Sequence, residues 1–458
     1  MIETFSTRTD VAEFQTIPLM SGEDITIGEV EDFGSKDYMV KVSGSTVSEY
    51  QEYLDTLEQE GFQKHSDNGE EAMEGYVYTA AYTQEQLTVV VSHTIKENTT
   101  YITASYNRPL SDHMIYKDEY MDGVDPEAKT RVHLFQMVNN GTGLIIQLKN
   151  GHFVIHDGGN WYDAPYFMDY MRTLVPEGKI VVEGWFISHP HADHYGVLNE
   201  MYNNRPDWAE QFAINGIYFH YPHEKMGDHT ICSRFCYHEC PNAFKDVYGN
   251  TTKTYRPQLG QRYYFCDTIV DICLTTEQID PAVIKWDVND TSFWCKTFID
   301  GRDGQTLLIN GDSAKGGHNR AMELYDEAYF AVDVYAVSHH GMNVYQNFVD
   351  YMSVNTLLYT CYREGSLYAA YMPDGRSLEG FAREPDNEAL RNKAKEYYSH
   401  GLGTVVLTFP YGVGEAEVLE MCKWQYHNSI PLPRLQHPPY GVYEWGWRKW
   451  DKNYRPYY

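Results

Sequence analysis

The chain has 458 residues, of which 42% are hydrophobic, so it can bury a sizeable core and is not a disordered tail. Its 36 Lys and Arg residues against 65 Asp and Glu residues leave a formal net charge of −29, which disfavours binding to long nucleic acid. The sequence holds no run of 18 apolar residues, so we expect no membrane span. The first residues, MIETFSTRTD, lack the pattern of a secretion signal, which predicts a cytoplasmic protein or an exported one whose signal has been removed.

Residues 1–115 are predicted to form a small α+β domain. The segment YMVKVSG (38–44) alternates between apolar and polar residues, which is typical of a strand. Three further strand candidates follow at 75–82, 86–95 and 99–107. Because no residues here have the spacing of a catalytic site, we interpret this domain as a module that binds an unknown partner or shapes the substrate site.

One helix is expected between the strand at 38–44 and the strand candidate at 75–82. Residues 45–60 carry apolar or aromatic side chains at helical spacing. Ser45 and Ser48 are candidates for the N-cap residue, and Gly61 is expected to end the helix.

A polar link at 116–130 leads into a second domain, which we expect at 130–423. Strands and helices alternate along this domain, so the pattern predicts an α/β fold. The first elements are three strand candidates, a helix candidate and a buried strand, at 132–138, 144–151, 152–159, 166–175 and 179–188. The last stretch, 424–458, is rich in Pro and aromatic residues, and we interpret it as an arm packed across the body or as an aromatic rim for a ligand.

The buried strand ends on a histidine cluster in FISHPHADHYGVL (186–198). Its four candidate metal ligands are His189, His191, Asp193 and His194. The first two imidazoles follow a strand end two residues apart, so they can bind one ion. The Asp-His pair, just before a helix expected to start near Tyr195, then points toward a second ion about 3.5–4 Å away. Three imidazoles and a carboxylate suit zinc, so the motif predicts two zinc ions, with manganese or iron as alternatives.

The motif resembles the His-x-His-x-Asp-His signature of the metallo-β-lactamase superfamily, whose α/β fold is an αββα sandwich. The resemblance implies that Asp157, which ends the strand FVIHDGG, orients the metal loop through hydrogen bonds. It also implies that Asp312, in TLLINGDSA, bridges the two ions.

The last metal ligand of that superfamily is a His at a strand end, and the matching segment here is VDVYAVSHHG. We favour His339 as the ligand and His340 as a contact of the substrate, with the opposite assignment left open. The catalytic residues implied by the resemblance are then Asp193, Asp312 and His340.

Further details resemble the C-terminal metallo-β-lactamase domain of the competence protein ComEC and its stand-alone relatives, over about residues 132–418. The segment NDTSFWC (289–295) is similar to the family's Asn-x-x-Ser before a strand. Many superfamily hydrolases have a further His before the bridging Asp. This chain has Asp290 there, which we interpret as an oxygen ligand or as a residue that supports the site. His220 and His223 are alternatives for the missing imidazole.

Two other segments differ from that family. The loop MVNNGTG (137–143) replaces the family's Val-Gly-Gln-Gly-Asp stretch, so we expect a different substrate. An insertion at 221–263 carries Cys232, Cys236 and Cys240, whose spacing places them on one helix face. We favour a lid that shapes the substrate site, with a structural zinc site as the alternative.

A metal ion lowers the pKa of a bound water toward neutrality, so the predicted site indicates a hydrolase. A two-metal site suits a phosphodiester, and the charge of −29 favours a small molecule or a short phosphodiester over a long polynucleotide. Hydrolysis of an ester, lactone or amide at the same site is the alternative. A metal-stabilised binding protein without activity is a third hypothesis, and β-lactamase activity does not follow from the fold.

Overall fold

A computed structural model of the chain describes residue 14 and residues 16–34, 36–137, 141–220, 253–280, 288–342, 344–360, 385–400 and 403–419. These residues form a mixed α/β structure with three β-sheets and few helices, which confirms the predicted α/β class at this coarse level. His223, the three cysteines at 232–240 and the arm at 424–458 lie outside the described residues. Among the described residues, no helix is long and apolar enough to span a bilayer.

The strands, in chain order, are β1 (Thr26–Gly34), β2 (Asp37–Ser43), β3 (Gln63–Asp67), β4 (Val77–Gln84), β5 (Leu87–Thr94), β6 (Thr99–Tyr106), β7 (Arg131–Leu134), β8 (Gly143–Gln147), β9 (Phe153–Asp157), β10 (Ile180–Ile187), β11 (Phe212–Ile214), β12 (Gly216–Phe219), β13 (Lys253–Tyr255), β14 (Arg262–Phe265), β15 (Thr268–Leu274), β16 (Trp294–Ile299), β17 (Gln305–Ile309), β18 (Ala331–Val337), β19 (Ser353–Tyr359), β20 (Glu396–Ser399), β21 (Val405–Thr408) and β22 (Glu417–Val418). The α-helices are α1 (Val47–Gln59), α2 (Ala164–Leu174), α3 (Ala192–Asn203), α4 (Pro206–Ala209), α5 (Lys315–Leu324), α6 (Gln346–Tyr351) and α7 (Pro385–Lys393).

The first sheet is antiparallel, in the order β1-β2-β6-β5-β4-β3, and α1 packs on one of its faces. The predicted N-caps of α1 were wrong. Thr46 caps the helix, because its hydroxyl accepts from the Glu49 backbone N–H at 3.2 Å while the Glu49 carboxylate accepts from the Thr46 N–H at 2.8 Å. Gly61 follows the helix with a φ of +90°, as expected for a residue that ends one.

The second sheet runs in the order β13-β12-β10-β9-β8-β7-β21-β22, and the third runs from β14 to β20 in chain order. Strands β9, β10, β12 and β13 are parallel in the second sheet, as are β17 to β20 in the third. One buried core contains side chains of both sheets, such as Val154 and Phe186 against Ile272 and Val334. Helices α2 and α3 cover the second sheet, and α5, α6 and α7 pack on the core of the third.

Both faces of the first sheet are covered, since all eight residues of β5 are buried. Alternate residues of a strand point to opposite faces. Val89 and Val91 accordingly lie in the core that contains α1, whereas Val90 lies in the core shared by the two larger sheets, with Phe265. The N-terminal sheet is therefore packed against the rest of the chain. The domain boundary at residue 115 stays a prediction.

Candidate metal centre

The candidate site lies where the carboxyl ends of parallel strands from the two larger sheets meet, which is the usual ligand edge of such sheets. The second sheet provides Asp157 at the end of β9 and the residues after β10. The third sheet provides Asp312 after β17 and His339 and His340 after β18. Gly311 has a φ of +53°, and a Cβ there would lie 2.7 Å from the hydroxyl oxygen of Ser188. The chain before Asp312 thus needs glycine.

The first of two ligand groups contains His189, His191 and Asp312, whose ligand atoms lie within 4.8 Å of one another. His189 is fully buried, and its Nε2 lies 3.8 Å from Asp312 Oδ2. The ring centroids of His189 and His191 are 4.6 Å apart. His191 is partly exposed, so this group opens to solvent on that side.

The second group contains Asp193, His194, Asp312 and His340, again within 4.8 Å. Nε2 of His194 lies 3.1 Å from Asp312 Oδ1, and Nε2 of His340 lies 3.1 Å from Asp193 Oδ2. The structure starts α3 at Ala192, earlier than the expected Tyr195, so Asp193 and His194 occupy its first turn. Asp312 is common to both groups, and the structure thus brings together six of the predicted residues.

The structure places His340, and not the favoured His339, in the second group. His340 is buried, whereas His339 is partly exposed with its Nε2 3.7 Å from Asp312 Oδ2. Both residues have left-handed backbone angles, with φ of 49° and 55°. Such angles cost about 1–3 kcal/mol for each non-glycine residue, so surrounding contacts must hold this turn. The turn reverses the order expected from the strand end.

Hydrogen bonds fix which nitrogen of two candidate ligand imidazoles, those of His194 and His340, faces the site. His194 donates from Nδ1 to Asp157 Oδ2 at 2.8 Å. His340 donates from Nδ1 to the Thr360 carbonyl oxygen at 2.9 Å, because a carbonyl can only accept. In both rings Nε2 therefore faces carboxylates, a position that requires either a proton on Nε2 or a cation between the two groups.

The carboxylates of the site dominate its electrostatics. Burial lowers the pKa of His340, but Asp312 and Asp193 outweigh burial and raise the pKa to about 9. In the same way, Asp312 and Asp157 raise the pKa of His194 well above its ordinary value despite burial. Burial and the neighbouring His194 hold the pKa of His189 well below its ordinary range.

The residues fit a pair of transition-metal ions. Three buried ligand atoms of the two groups make no hydrogen bond among the described residues, namely His189 Nε2, His194 Nε2 and Asp312 Oδ1, although the last two lie 3.1 Å apart. Ligands about 2.0–2.2 Å from one tetrahedral zinc ion lie about 3.4 Å from each other. The separations of 3.1–3.8 Å between Asp312 and the His189, His194 and His340 imidazoles agree with that value.

Two other candidate ligands have different partners. The Asp290 carboxylate accepts from the backbone N–H groups of Ala314, Gly316 and Gly317 at 2.8–3.0 Å. It caps the start of α5, just after Asp312, so it supports the site and is not in either ligand group. His220 is buried and uses Nδ1 toward the Pro257 carbonyl and Nε2 toward the Glu277 carboxylate, so the structure does not bring it into a ligand group.

The sequence interpretation missed Ser188 and Thr360. Ser188 donates to Asp157 from its backbone N–H at 2.7 Å and from its hydroxyl at 2.8 Å. The signal for Ser188 was its position immediately before His189, after the strand. Thr360 likewise follows the end of a buried strand, β19. A polar residue at the carboxyl end of a parallel strand is thus the pattern that could have indicated both.

The sequence matches no protein-family model and no curated protein. Several solved structures are similar to parts of the chain. The metallo-beta-lactamase fold protein YhfI from Bacillus subtilis is 14% identical over 60% of this chain and 96% of its own, with a TM-score of 0.35. A Cronobacter sakazakii metallo-beta-lactamase with a HARLDQ motif is 15% identical over 43% and 71%, with a TM-score of 0.27.

A metallo-beta-lactamase from Hirschia baltica is 10% identical over 51% of this chain and 70% of its own, with a TM-score of 0.20. These identities and TM-scores are too low to assign the chain to a family. The chemistry open to the chain follows from the His and Asp groups themselves.

Proposed function

We propose that the protein is a metal-dependent hydrolase of the αββα metallo-β-lactamase type that acts on a small phosphodiester. The observation that carries the proposal is Asp312, which offers an oxygen atom to two adjacent ligand groups at once. His189 and His191 would hold one ion, and Asp193, His194 and His340 would hold the other. Zinc is the proposed metal, with manganese or iron as alternatives, because the ligands are imidazoles and carboxylates.

Metal ions bound there would supply Lewis acidity and a water of lowered pKa. The protein's own residues set the geometry. Asp157 and the Thr360 carbonyl fix the orientation of His194 and His340. His339 lies beside Asp312 and is partly exposed, so we assign it the contact with substrate that was first expected of His340. Its imidazole can donate a hydrogen bond to a developing negative charge.

A phosphodiester is favoured because two ion sites that share one carboxylate can contact both the attacking and the leaving oxygen of an in-line displacement. The net charge of −29 favours a small substrate. The resemblance of NDTSFWC and SHHG to the ComEC-type domains supports the same class. Hydrolysis of an ester or lactone is the second candidate, because the same ligands can stabilise the oxyanion of acyl transfer.

The proposal is tested by elemental analysis of protein purified without chelator, together with hydrolysis of bis-p-nitrophenyl phosphate, p-nitrophenyl acetate and a simple lactone. We expect two transition-metal ions per chain and metal-dependent release of nitrophenol from the phosphodiester. His133→Gln is the control variant and should keep both the metal and the activity, since His133 is a buried histidine of the second sheet outside both ligand groups. Protein without transition metal, with the same thermal stability in EDTA, would contradict the proposal. Metal-bound protein that hydrolyses no substrate would indicate a binding protein.

A further inference from the structure

We infer that Asn387 and Thr360 are positioning residues that select His340 over His339 as the metal ligand. The inference rests on the proposed metal-dependent function. Neither residue belongs to a ligand group, and neither was indicated as part of the site by the sequence. Both act on the strained turn after β18, one through its backbone and the other through the His340 ring.

The first contact holds the backbone of the turn. Asn387, at the start of α7, is fully buried and donates from Nδ2 to the Gly341 carbonyl oxygen at 2.5 Å. Its Oδ1 accepts from the Tyr359 hydroxyl at 3.1 Å. The Tyr359 ring also fills the space beside Gly341, because a Cβ on that glycine would lie 3.0 Å from the ring. Three left-handed residues in a row, His339 to Gly341, are therefore held from the side of α7 and β19.

The second contact holds the ring. Nδ1 of His340 lies 2.9 Å from both the carbonyl oxygen and the hydroxyl oxygen of Thr360. The Thr360 carbonyl is also the acceptor of the Gly141 N–H at 3.4 Å, and the neighbouring Thr142 N–H donates to the Asp193 carbonyl at 3.1 Å. Gly141 and Thr142 thus link Thr360 to Asp193, whose carboxylate faces the His340 ring.

The contacts of Asn387 and Thr360 act on the group that contains His340, and not on the group that contains His189 and His191. His189 follows β10, and the residue before it, Ser188, is tied to Asp157. Asn387 instead donates to the turn at Gly341, and Thr360 accepts from the His340 ring of the second group. Loss of either positioning contact should therefore weaken the ion on His340 and leave the ion on His189 and His191 in place.

The test is a titration of metal-free protein with Co²⁺, in which binding is monitored by the visible absorption of the bound ion and by calorimetry. The variants are Asn387→Ala and Thr360→Val, each also made in the His191→Ala background so that the ion on His340 is measured alone. For Asn387→Ala we expect about 10- to 100-fold weaker binding of one of the two ions, the usual effect of removing a contact that orients a ligand. Thr360→Val removes the hydroxyl but keeps the carbonyl acceptor of His340 Nδ1, so it should weaken binding of the same ion by a smaller factor, about 2- to 10-fold. Thr360→Ser, which keeps the hydroxyl, should bind both ions like the unchanged protein.

The matched control is Thr356→Val, because Thr356 lies on β19, the strand that Thr360 follows, is equally buried and donates to Glu396 instead of contacting the turn. It should leave both ion affinities unchanged. If Asn387→Ala does not fold, judged by circular dichroism, Thr360→Val carries the test. Equal weakening of both ions, or unchanged binding in both variants, would overturn the inference while the proposed function stands. Failure of the unchanged protein to bind Co²⁺ would overturn both.

Discussion

The Nδ1 nitrogen of His194 lies 2.8 Å from Asp157 Oδ2, and the same carboxylate accepts two hydrogen bonds from Ser188. Three donors thus converge on one buried carboxylate, which in turn keeps Nε2 of His194 directed at Asp312. Asp157 has a φ of 59°, a left-handed angle that Asp and Asn tolerate better than most residues. The backbone and the side chain of Asp157 therefore both orient His194, one of the candidate ligands.

Asp157→Asn should weaken metal binding by about 10- to 100-fold without unfolding the protein. The amide keeps the shape and tolerates the left-handed backbone, but it has one acceptor oxygen for three donors. Calorimetric titration of metal-free protein with Zn²⁺ measures the effect. Asp333→Asn is the control, since Asp333 accepts from Thr306 in the third sheet and is outside both ligand groups. An unchanged zinc affinity for Asp157→Asn would show that the hydrogen bond to His194 does not matter.

His340→Ala and His339→Ala should differ in metal content. Removal of the His340 imidazole takes one ligand from the second group, so we expect about one ion per chain in place of two. His339→Ala should keep both ions and lose hydrolytic activity by about 10- to 1,000-fold, because the side chain is assigned to the substrate. Elemental analysis and steady-state kinetics distinguish the two variants. The reverse pattern would restore the assignment first favoured from the sequence.

Metal affinity should rise with pH. Asp312 and Asp193 raise the pKa of His340 to about 9 in the metal-free protein, so this imidazole carries a proton throughout the neutral range. A metal ion that binds Nε2 of His340 must displace that proton, and His194, whose pKa is also raised, must lose one as well. The apparent dissociation constant should therefore fall at least about tenfold per pH unit through the neutral range. Calorimetry in buffers of different ionisation enthalpy measures the released protons. A pH-independent affinity between pH 6 and pH 8 would contradict the expectation.

The ion pair between Glu97 and Arg320 should stabilise the packing of the N-terminal sheet. It is bidentate, at 2.6 and 2.7 Å, and Arg320 is largely buried. Glu97→Ala should lower the free energy of unfolding by about 2 kcal/mol, since it leaves a buried guanidinium short of a partner. Glu323→Ala removes the exposed partner of the same Arg320 and should cost less than about 0.5 kcal/mol. Chemical denaturation monitored by circular dichroism compares the two variants. An equal loss of unfolding free energy in both would contradict a stabilising role specific to the pair of Glu97 and Arg320.

The strands and helices of the chain were largely predictable, because hydrophobic periodicity is a local signal. The strand expected at 38–44 is β2, and the helix expected at 45–60 is α1. Periodicity does not say what covers each face of a sheet. The run QLTVVVSHTI was expected to be a strand and forms β5. The residues that pack on its second face, such as Phe265, lie far along the chain and could not be identified from this run.

The histidine motif was predictable for the same reason, since four of its candidate ligands fall within six residues after one strand. The choice between His339 and His340 was not. It depends on a left-handed turn whose contacts, Thr360 and Asn387, lie 20 and 46 residues away in the sequence. His220 likewise could not be separated from a ligand without its partner Glu277 on another segment. Local spacing identifies residues that can bind metal, and distant contacts decide which of them the fold brings into a candidate ligand group.

The covered second face of the N-terminal sheet has a consequence for how the protein is made. Glu97 and Arg320 are 223 residues apart, and the ribosome adds about 5–20 residues per second. The first sheet therefore leaves the ribosome about 10 to 45 s before the surface that covers it exists. During that interval its apolar face is exposed to water, and we expect the nascent chain to be most prone to aggregate then.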